Sequence, residues 1–263
     1  MAPLRERLRN GFGRLLPPLA NLLSPPQCVC CGKELQSGNT DADRSFFCEA
    51  CRTSMFLDQW NRCRLCGEAI FNAEKELCLR CVQDGFIPPH FDRVIPLGIY
   101  ADTLRACILR MKQPQGAKLA GMIAEAYCAY RAESLQKHRP DLVVPVPMHW
   151  LHRLWRRTNS PETMARQIAR RLGVYLEVPL LIRRKRTQPQ HELSPKERLK
   201  NVKNAFAIRK GYDLNGTRVL LVDDILTTGA TANEAAKVLK KAGAAEVIVG
   251  VAAKTLHAIP SHK

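Results

Sequence analysis

Val219-Leu220-Leu221-Val222-Asp223-Asp224-Ile225-Leu226-Thr227-Thr228-Gly229-Ala230-Thr231 decides how the larger part of this chain is read. Four apolar residues in a row suit a strand buried on both faces, and two adjacent acids end it. A Thr/Gly turn follows. From Ala230 the pattern is helical to residue 242, where Gly243 closes it. Ligands of open α/β sheets sit beyond the carboxyl ends of the strands. A loop of this kind offers backbone N–H groups and threonine hydroxyls to a phosphate, aided by the helix N-terminus. The carboxylates of Asp223 and Asp224 suit a pair of vicinal ribose hydroxyls.

Working outward, strands are expected over residues 94–100, 142–146, 219–222 and 246–252. Helices are expected over 101–111, 118–138, 161–172 and 230–242. Ser160 reads as the N-cap of the third helix, with Pro161 at its first position. Alternating strands and helices predict an α/β fold, a parallel sheet flanked by helices, over residues 91–263. Phe86-Ile87-Pro88-Pro89-His90 reads as the linker before it.

The chain has 263 residues and 46% hydrophobic content, enough for one catalytic-size domain plus a small module. No run of about 18 apolar residues is present, so no transmembrane helix is expected. Residues 1–27 carry Arg5, Arg7, Arg9 and Arg14 among Leu4, Leu8, Phe12, Leu15, Leu19 and Leu22. The arginines interrupt what a secretory signal would need as an apolar core. An amphipathic helix packed on the chain is expected, and a transit peptide also agrees with the composition. The net charge of +17 is unevenly placed: residues 151–210 hold 16 Lys/Arg against 4 Asp/Glu, whereas residues 1–90 hold 11 against 10. A polyanion would meet the former segment. Within it, Arg183-Arg184-Lys185-Arg186 reads as a solvated basic face.

Eight of the 11 cysteines form four C-x-x-C pairs: Cys28/Cys31, Cys48/Cys51, Cys63/Cys66 and Cys78/Cys81. Thiolates three positions apart on a tight turn can meet one ion, and Gly32 and Gly67 relieve the turn. Four thiolates complete a tetrahedral Zn²⁺ site with no open position for catalysis, so residues 28–85 read as a module with two structural zinc ions. An iron–sulfur cluster and a disulfide framework are the alternatives, and the latter lacks a secretory signal to support it. The pairing of the pairs, sequential or interleaved, is open at this level. Cys30, Cys107 and Cys128 read as ordinary buried thiols. Reduced cysteines and the missing signal imply a cytoplasmic location.

The Asp-Asp motif resembles the 5-phosphoribosyl diphosphate (PRPP) motif of type I phosphoribosyltransferases. With the cysteine module the chain is similar to the ComF/GntX family of competence-type proteins, from Cys28 to Leu256. Lys112 with Gly116, Val144-Pro145-Val146-Pro147-Met148-His149, Gln190 to Ser194, Arg198, Asn201 and Asn204-Ala205-Phe206 carry the rest of the likeness. Where family members often read Arg-Gly-Phe-Asn-Gln, this chain has Arg156-Arg157-Thr158-Asn159-Ser160, keeping Arg156 and Asn159.

The resemblance implies PRPP bound with Mg²⁺ and attack of a nucleophile on the anomeric carbon as pyrophosphate leaves. The acceptor stays unidentified. It implies Asp223 and Asp224 on the ribose; Thr227, Thr228, Gly229, Ala230 and Thr231 around the 5′-phosphate; and Pro147, Met148 and His149, with Arg156 nearby, at the pyrophosphate. A second reading is a DNA-uptake factor that keeps the fold and binds single-stranded DNA. In a third, the zinc module docks a helicase-like competence partner.

Overall fold

The computed structural model describes residues 27–35, 46–56, 61–70, 72, 74–148, 159–185 and 195–256. The expected amphipathic segment at residues 1–27 lies outside them except for Gln27. So do His149, Arg156, Arg157 and residues 190–194. The chain divides into two compact units, Met1–Ser54 and Met55–Lys263.

The described part of the first unit is a knuckle and a helical turn. Gln27 and Glu34 form an antiparallel bridge, and helix α1 covers Glu49–Phe56. The second unit begins with a matching knuckle. Strands β1 (Asn61–Arg62) and β2 (Ala69–Ile70) pair antiparallel, and helix α2 covers Leu79–Val82.

Most of the second unit is a five-stranded sheet. Its strands are β3 (Arg93–Ile99), β4 (Leu142–Pro145), β5 (Tyr175–Leu176), β8 (Arg218–Leu226) and β9 (Glu246–Lys254). Their spatial order is β3-β9-β8-β4-β5, and every neighbouring pair is parallel. Residues alternate between the faces, as the two-residue strand period requires. Leu142, Val144, Val219, Leu221, Val247 and Val249 enter one core cluster with Ala232, Ala235 and Leu239 of helix α8 (Ala230–Lys241). The other face meets helix α4 (Ala117–Tyr130). There Gly250 leaves room for the Tyr127 hydroxyl, because a Cβ would lie 2.7 Å from that oxygen. The hydroxyl itself donates to the Ile95 carbonyl at 3.1 Å. Strand β6 (Leu181–Arg183), helix α7 (Pro195–Val202) and strand β7 (Phe206–Ile208) follow one another, and the two strands pair antiparallel to complete the α8 side.

The parallel sheet and the placement of its helices agree with the expectation, and three details correct it. The helix expected over 118–138 breaks at Arg131 into α4 and α5 (Ala132–His138). The Arg131 guanidinium donates to the Pro96 and Leu97 carbonyls at 2.8 and 2.7 Å, satisfying an edge strand. Ser160 is the first residue of α6 (Ser160–Leu172) rather than its cap; Asn159 precedes it, and the Ser160 hydroxyl donates instead to the Met111 carbonyl. Strand β8 does not stop before the acids but runs through both to Leu226, because β9 continues alongside it to Lys254.

Candidate functional site

The chain leaves β4 toward β5 on one side and β8 toward β9 on the other, so the sheet changes direction between β4 and β8. Crevices of open α/β sheets form at such a switch point. Here the Val146 N–H donates to the Val222 carbonyl at 2.8 Å, which sets Pro147 and Met148 beside the start of the acid pair. On the other strand Asp223 and Asp224 lead through Thr227 and Thr228 to Gly229. Gly229 has φ +79°, a left-handed conformation that costs glycine little, and α8 starts at Ala230. The Ala230 N–H reaches the Thr228 hydroxyl oxygen at 3.4 Å. The structure thus brings together Asp223, Asp224, residues 227–231, Pro147 and Met148. His149 and Arg156 lie outside the described residues.

The two acids differ. Asp224 pairs with Lys112 at 2.9 Å, just past α3 (Asp102–Met111). Asp223 retains some surface, yet its carboxyl is desolvated. That desolvation, with the charge of Asp224 added, pushes it to about 8, against the pull of the Asp224 N–H and of Lys112. Burial thus favours the protonated form of Asp223. Arg183 also faces Asp223 electrostatically and lies over the Phe206 ring, 5.5 Å from its centroid. It is a half-buried member of β6, which corrects its reading as part of a solvated face. Leu181, two residues earlier, is core, and that period-two signal was present in the sequence. Lys112 belongs to the family likeness, yet nothing in its own sequence neighbourhood marks it as the partner of an acid 112 positions away.

The cysteines gather into Cys28, Cys31, Cys48 and Cys51, and into Cys63, Cys66, Cys78 and Cys81. Within each group all sulfurs lie within 4.8 Å of one another. Pairing is therefore sequential, not interleaved. The sulfurs of Cys31 and Cys48 are 3.6 Å apart, and those of Cys66 and Cys78 are 3.5 Å apart. Tetrahedral Zn²⁺ with bonds of about 2.3 Å needs about 3.8 Å between sulfurs. Protonation agrees. The Cys66 thiol donates to Cys63, and with the N–H groups of Cys66, Cys78 and Leu65 it holds Cys63 down at about 4 against the cost of burial. The same bond and burial push Cys66 up. Four thiolates cannot coexist there without a cation, so the donor set fits structural zinc. Among the lone cysteines, Cys128 is a buried thiol pushed up to about 12 by burial. Cys107 is buried as well, whereas Cys30 is half-buried.

The two knuckles repeat one hydrogen-bond pattern. Gly32 N–H donates to the Cys28 carbonyl and Gly67 N–H to the Cys63 carbonyl, both at 2.8 Å. Cys28 N–H donates to Lys33 and Cys63 N–H to Glu68, at 2.7 and 2.8 Å. Lys33 and Glu68 therefore occupy equivalent positions. Lys33 is exposed, whereas Glu68 pairs with Lys254. Lys254 is buried, and that burial lowers its pKa while Glu68 opposes the shift.

The sequence matches the phosphoribosyl transferase domain family over residues 161–260 and the double zinc ribbon domain over residues 19–82. The DNA utilization protein YhgH of Salmonella typhimurium is 31% identical over 228 residues, which are 80% of this chain and 97% of that protein. Competence protein F of Haemophilus influenzae is 30% identical over 229 residues, 85% of this chain and 94% of its own. Among solved structures, the purine phosphoribosyltransferase from Pyrococcus horikoshii matches at 23% identity with a TM-score of 0.31, covering 49% of this chain and 73% of that one. No helix among the described residues is long and apolar enough to cross a membrane.

Proposed function

The chain belongs to the ComF/GntX family of competence-type proteins, and on that premise we propose that its sheet end binds PRPP with Mg²⁺ and transfers the phosphoribosyl group to an acceptor. The acid pair beside the turn at Gly229, at the switch point of the sheet, carries this reading. A protonated Asp223 carboxyl offers both a donor and an acceptor to a ribose diol, whose hydroxyls need both. Thr227, Thr228, Gly229, Ala230 and Thr231 surround the 5′-phosphate with N–H groups and hydroxyls. Pro147, Met148 and His149 meet the pyrophosphate, and Arg156 offsets its charge as it leaves. Mg²⁺ is held mainly by the phosphate oxygens. The bond from the anomeric carbon to the pyrophosphate oxygen breaks as a nucleophile of the acceptor bonds to that carbon. The protein's share is positioning and charge stabilisation. Zinc is structural in this scheme.

Calorimetric titration of the protein with PRPP and Mg²⁺ tests the reading, beside Asp223→Asn/Asp224→Asn. Saturable binding is expected in the wild type and a loss of about 100-fold or more in the double variant, about 3 kcal/mol. Equal affinity in both would move the ribose site elsewhere. A second reading rests on the basic surplus of residues 151–210 and on the names of the relatives: contact with single-stranded DNA during DNA uptake or utilization. Its mark is affinity that falls steeply with salt; a flat salt response rejects it.

A further inference from the structure

Lys254 is the one charged side chain that is fully buried among the described residues, at 2% exposure. Buried ammonium groups persist only with partners. This one has Glu68 Oε2 at 3.4 Å, the Thr227 carbonyl at 3.5 Å and the Thr255 carbonyl. Its partners come from two places of different purpose. Thr227 opens the loop assigned above to the phosphate. Glu68 belongs to the second cysteine knuckle, where it follows Cys66-Gly67 and its carbonyl receives the Cys63 N–H.

The knuckle is also fixed to the sheet without Lys254. Val94 N–H donates to the Arg64 carbonyl at 3.0 Å. Gly67, at φ +73°, approaches β3 so closely that a Cβ would lie 2.8 Å from Val94 Cγ1. The Glu68 carboxylate is therefore presented from a rigid base. In a trans peptide the C=O of one residue and the N–H of the next point in opposite directions. A Thr227 carbonyl turned toward Lys254 turns the Thr228 N–H away from it, to the outer side of the loop. In the first knuckle the equivalent position is held by Lys33, which is exposed.

We infer that Lys254 is a positioning residue: anchored by Glu68 of the second cysteine knuckle, it holds the Thr227 carbonyl and so sets the direction of the Thr228 N–H in the phosphate loop. This rests on reading residues 227–231 as that loop. It couples the second cysteine group to the ligand site.

The test uses the full-length zinc-loaded protein with Lys254→Met, Lys254→Arg, Glu68→Gln and, as a control on the first knuckle, Lys33→Gln. Amide hydrogen exchange is followed over residues 226–231 without ligand, using β4 as internal reference. PRPP·Mg²⁺ affinity and zinc content are measured in parallel. Lys254→Met removes one partner of a buried ion pair and leaves the Glu68 carboxylate uncompensated, so exchange in β4 is the check on global stability. Lys254→Met and Glu68→Gln are expected to speed exchange over 226–231 at least about fivefold with β4 unchanged. They should weaken PRPP about tenfold and leave both zinc ions bound. Lys254→Arg should return both readouts to within about twofold of wild type, and Lys33→Gln should move neither. Should Lys254→Met fail to fold, Glu68→Gln and Lys254→Arg still decide the matter. Exchange that rises equally in β4 overturns the inference, since that marks general destabilisation. So does unchanged exchange over 226–231. Wild-type protein that binds no PRPP sinks the site reading alone, and the exchange data then judge the link. PRPP affinity that is lost in Asp223→Asn/Asp224→Asn yet intact in Lys254→Met keeps the site and removes the link.

Discussion

The cysteine knuckles and the acidic end of the sheet both bury groups that ionise, and they balance that burial in opposite ways. In each knuckle four sulfurs converge within 4.8 Å, and a metal dication can replace the thiol protons. At the end of β8 the burden falls on a carboxyl, and the proton stays on instead. The surroundings differ as well. Unlike the long sheet strands, which enter a large apolar cluster, the second knuckle among its described residues buries Ile70 with its cysteines, partly covered by Leu65, Leu77 and Phe86. A region with so few apolar contacts takes its stability from ligation, and a region with many takes it from packing.

The largest expected effect follows from that contrast. A strong chelator should strip the knuckles of hydrogen-exchange protection, since structural zinc in small sites contributes on the order of 10 kcal/mol. Protection in β4 and β8 should survive. Simultaneous loss in the knuckles and in those strands would break the comparison by showing one cooperative unit.

The pH response should differ in sign. Asp223 is raised from 3.8 to about 8, so between those values the folded state holds more protons than the unfolded one. Its contribution to stability is present at low pH and is lost as pH rises toward 8. Knuckle ligation runs the other way, because thiolates bind metal and thiols do not. Asp223→Asn should raise the melting temperature of the sheet at pH 8 by several degrees and flatten its decline between pH 5 and 8, as read by calorimetry. An unchanged profile would show that Asp223 is ionised at no cost.

Smaller effects sharpen the packing side. Tyr127→Phe removes the hydroxyl that donates to Ile95 and should cost about 1 kcal/mol, or about 2–4 °C in melting temperature. No change would mean that the edge carbonyl finds another donor. Lys112→Met should cost under about 1 kcal/mol, since its pair with Asp224 is partly exposed. It should also steepen the pH dependence, because Lys112 helps hold the Asp223 carboxyl down. An unchanged profile would assign Lys112 no electrostatic role.

Local pattern made much of this protein legible. The run from Val219 to Thr231 announces strand, acids, turn and helix because each is written in adjacent residues: apolar burial, a left-handed glycine, then helical spacing. Four C-x-x-C pairs announce thiolate ligation for the same reason, since both members of a pair lie on one turn. Arg131 was less legible. Nothing in helical spacing says that an arginine in the middle of an apolar helix will break it to reach the carbonyls of an edge strand.

What the sequence determined by itself is therefore the parallel sheet, the acid–threonine–glycine segment and the eight ligand cysteines, because short-range chemistry fixes them. Only the tertiary structure decided that the cysteine groups pair sequentially, that Lys112 meets Asp224, that Arg183 lies over Phe206 toward Asp223, and that Lys254 joins Glu68 to Thr227. Those partners are separated by up to 186 positions. Which distant charge is brought into a shared low-dielectric space depends on strand order and register, and no local periodicity encodes that.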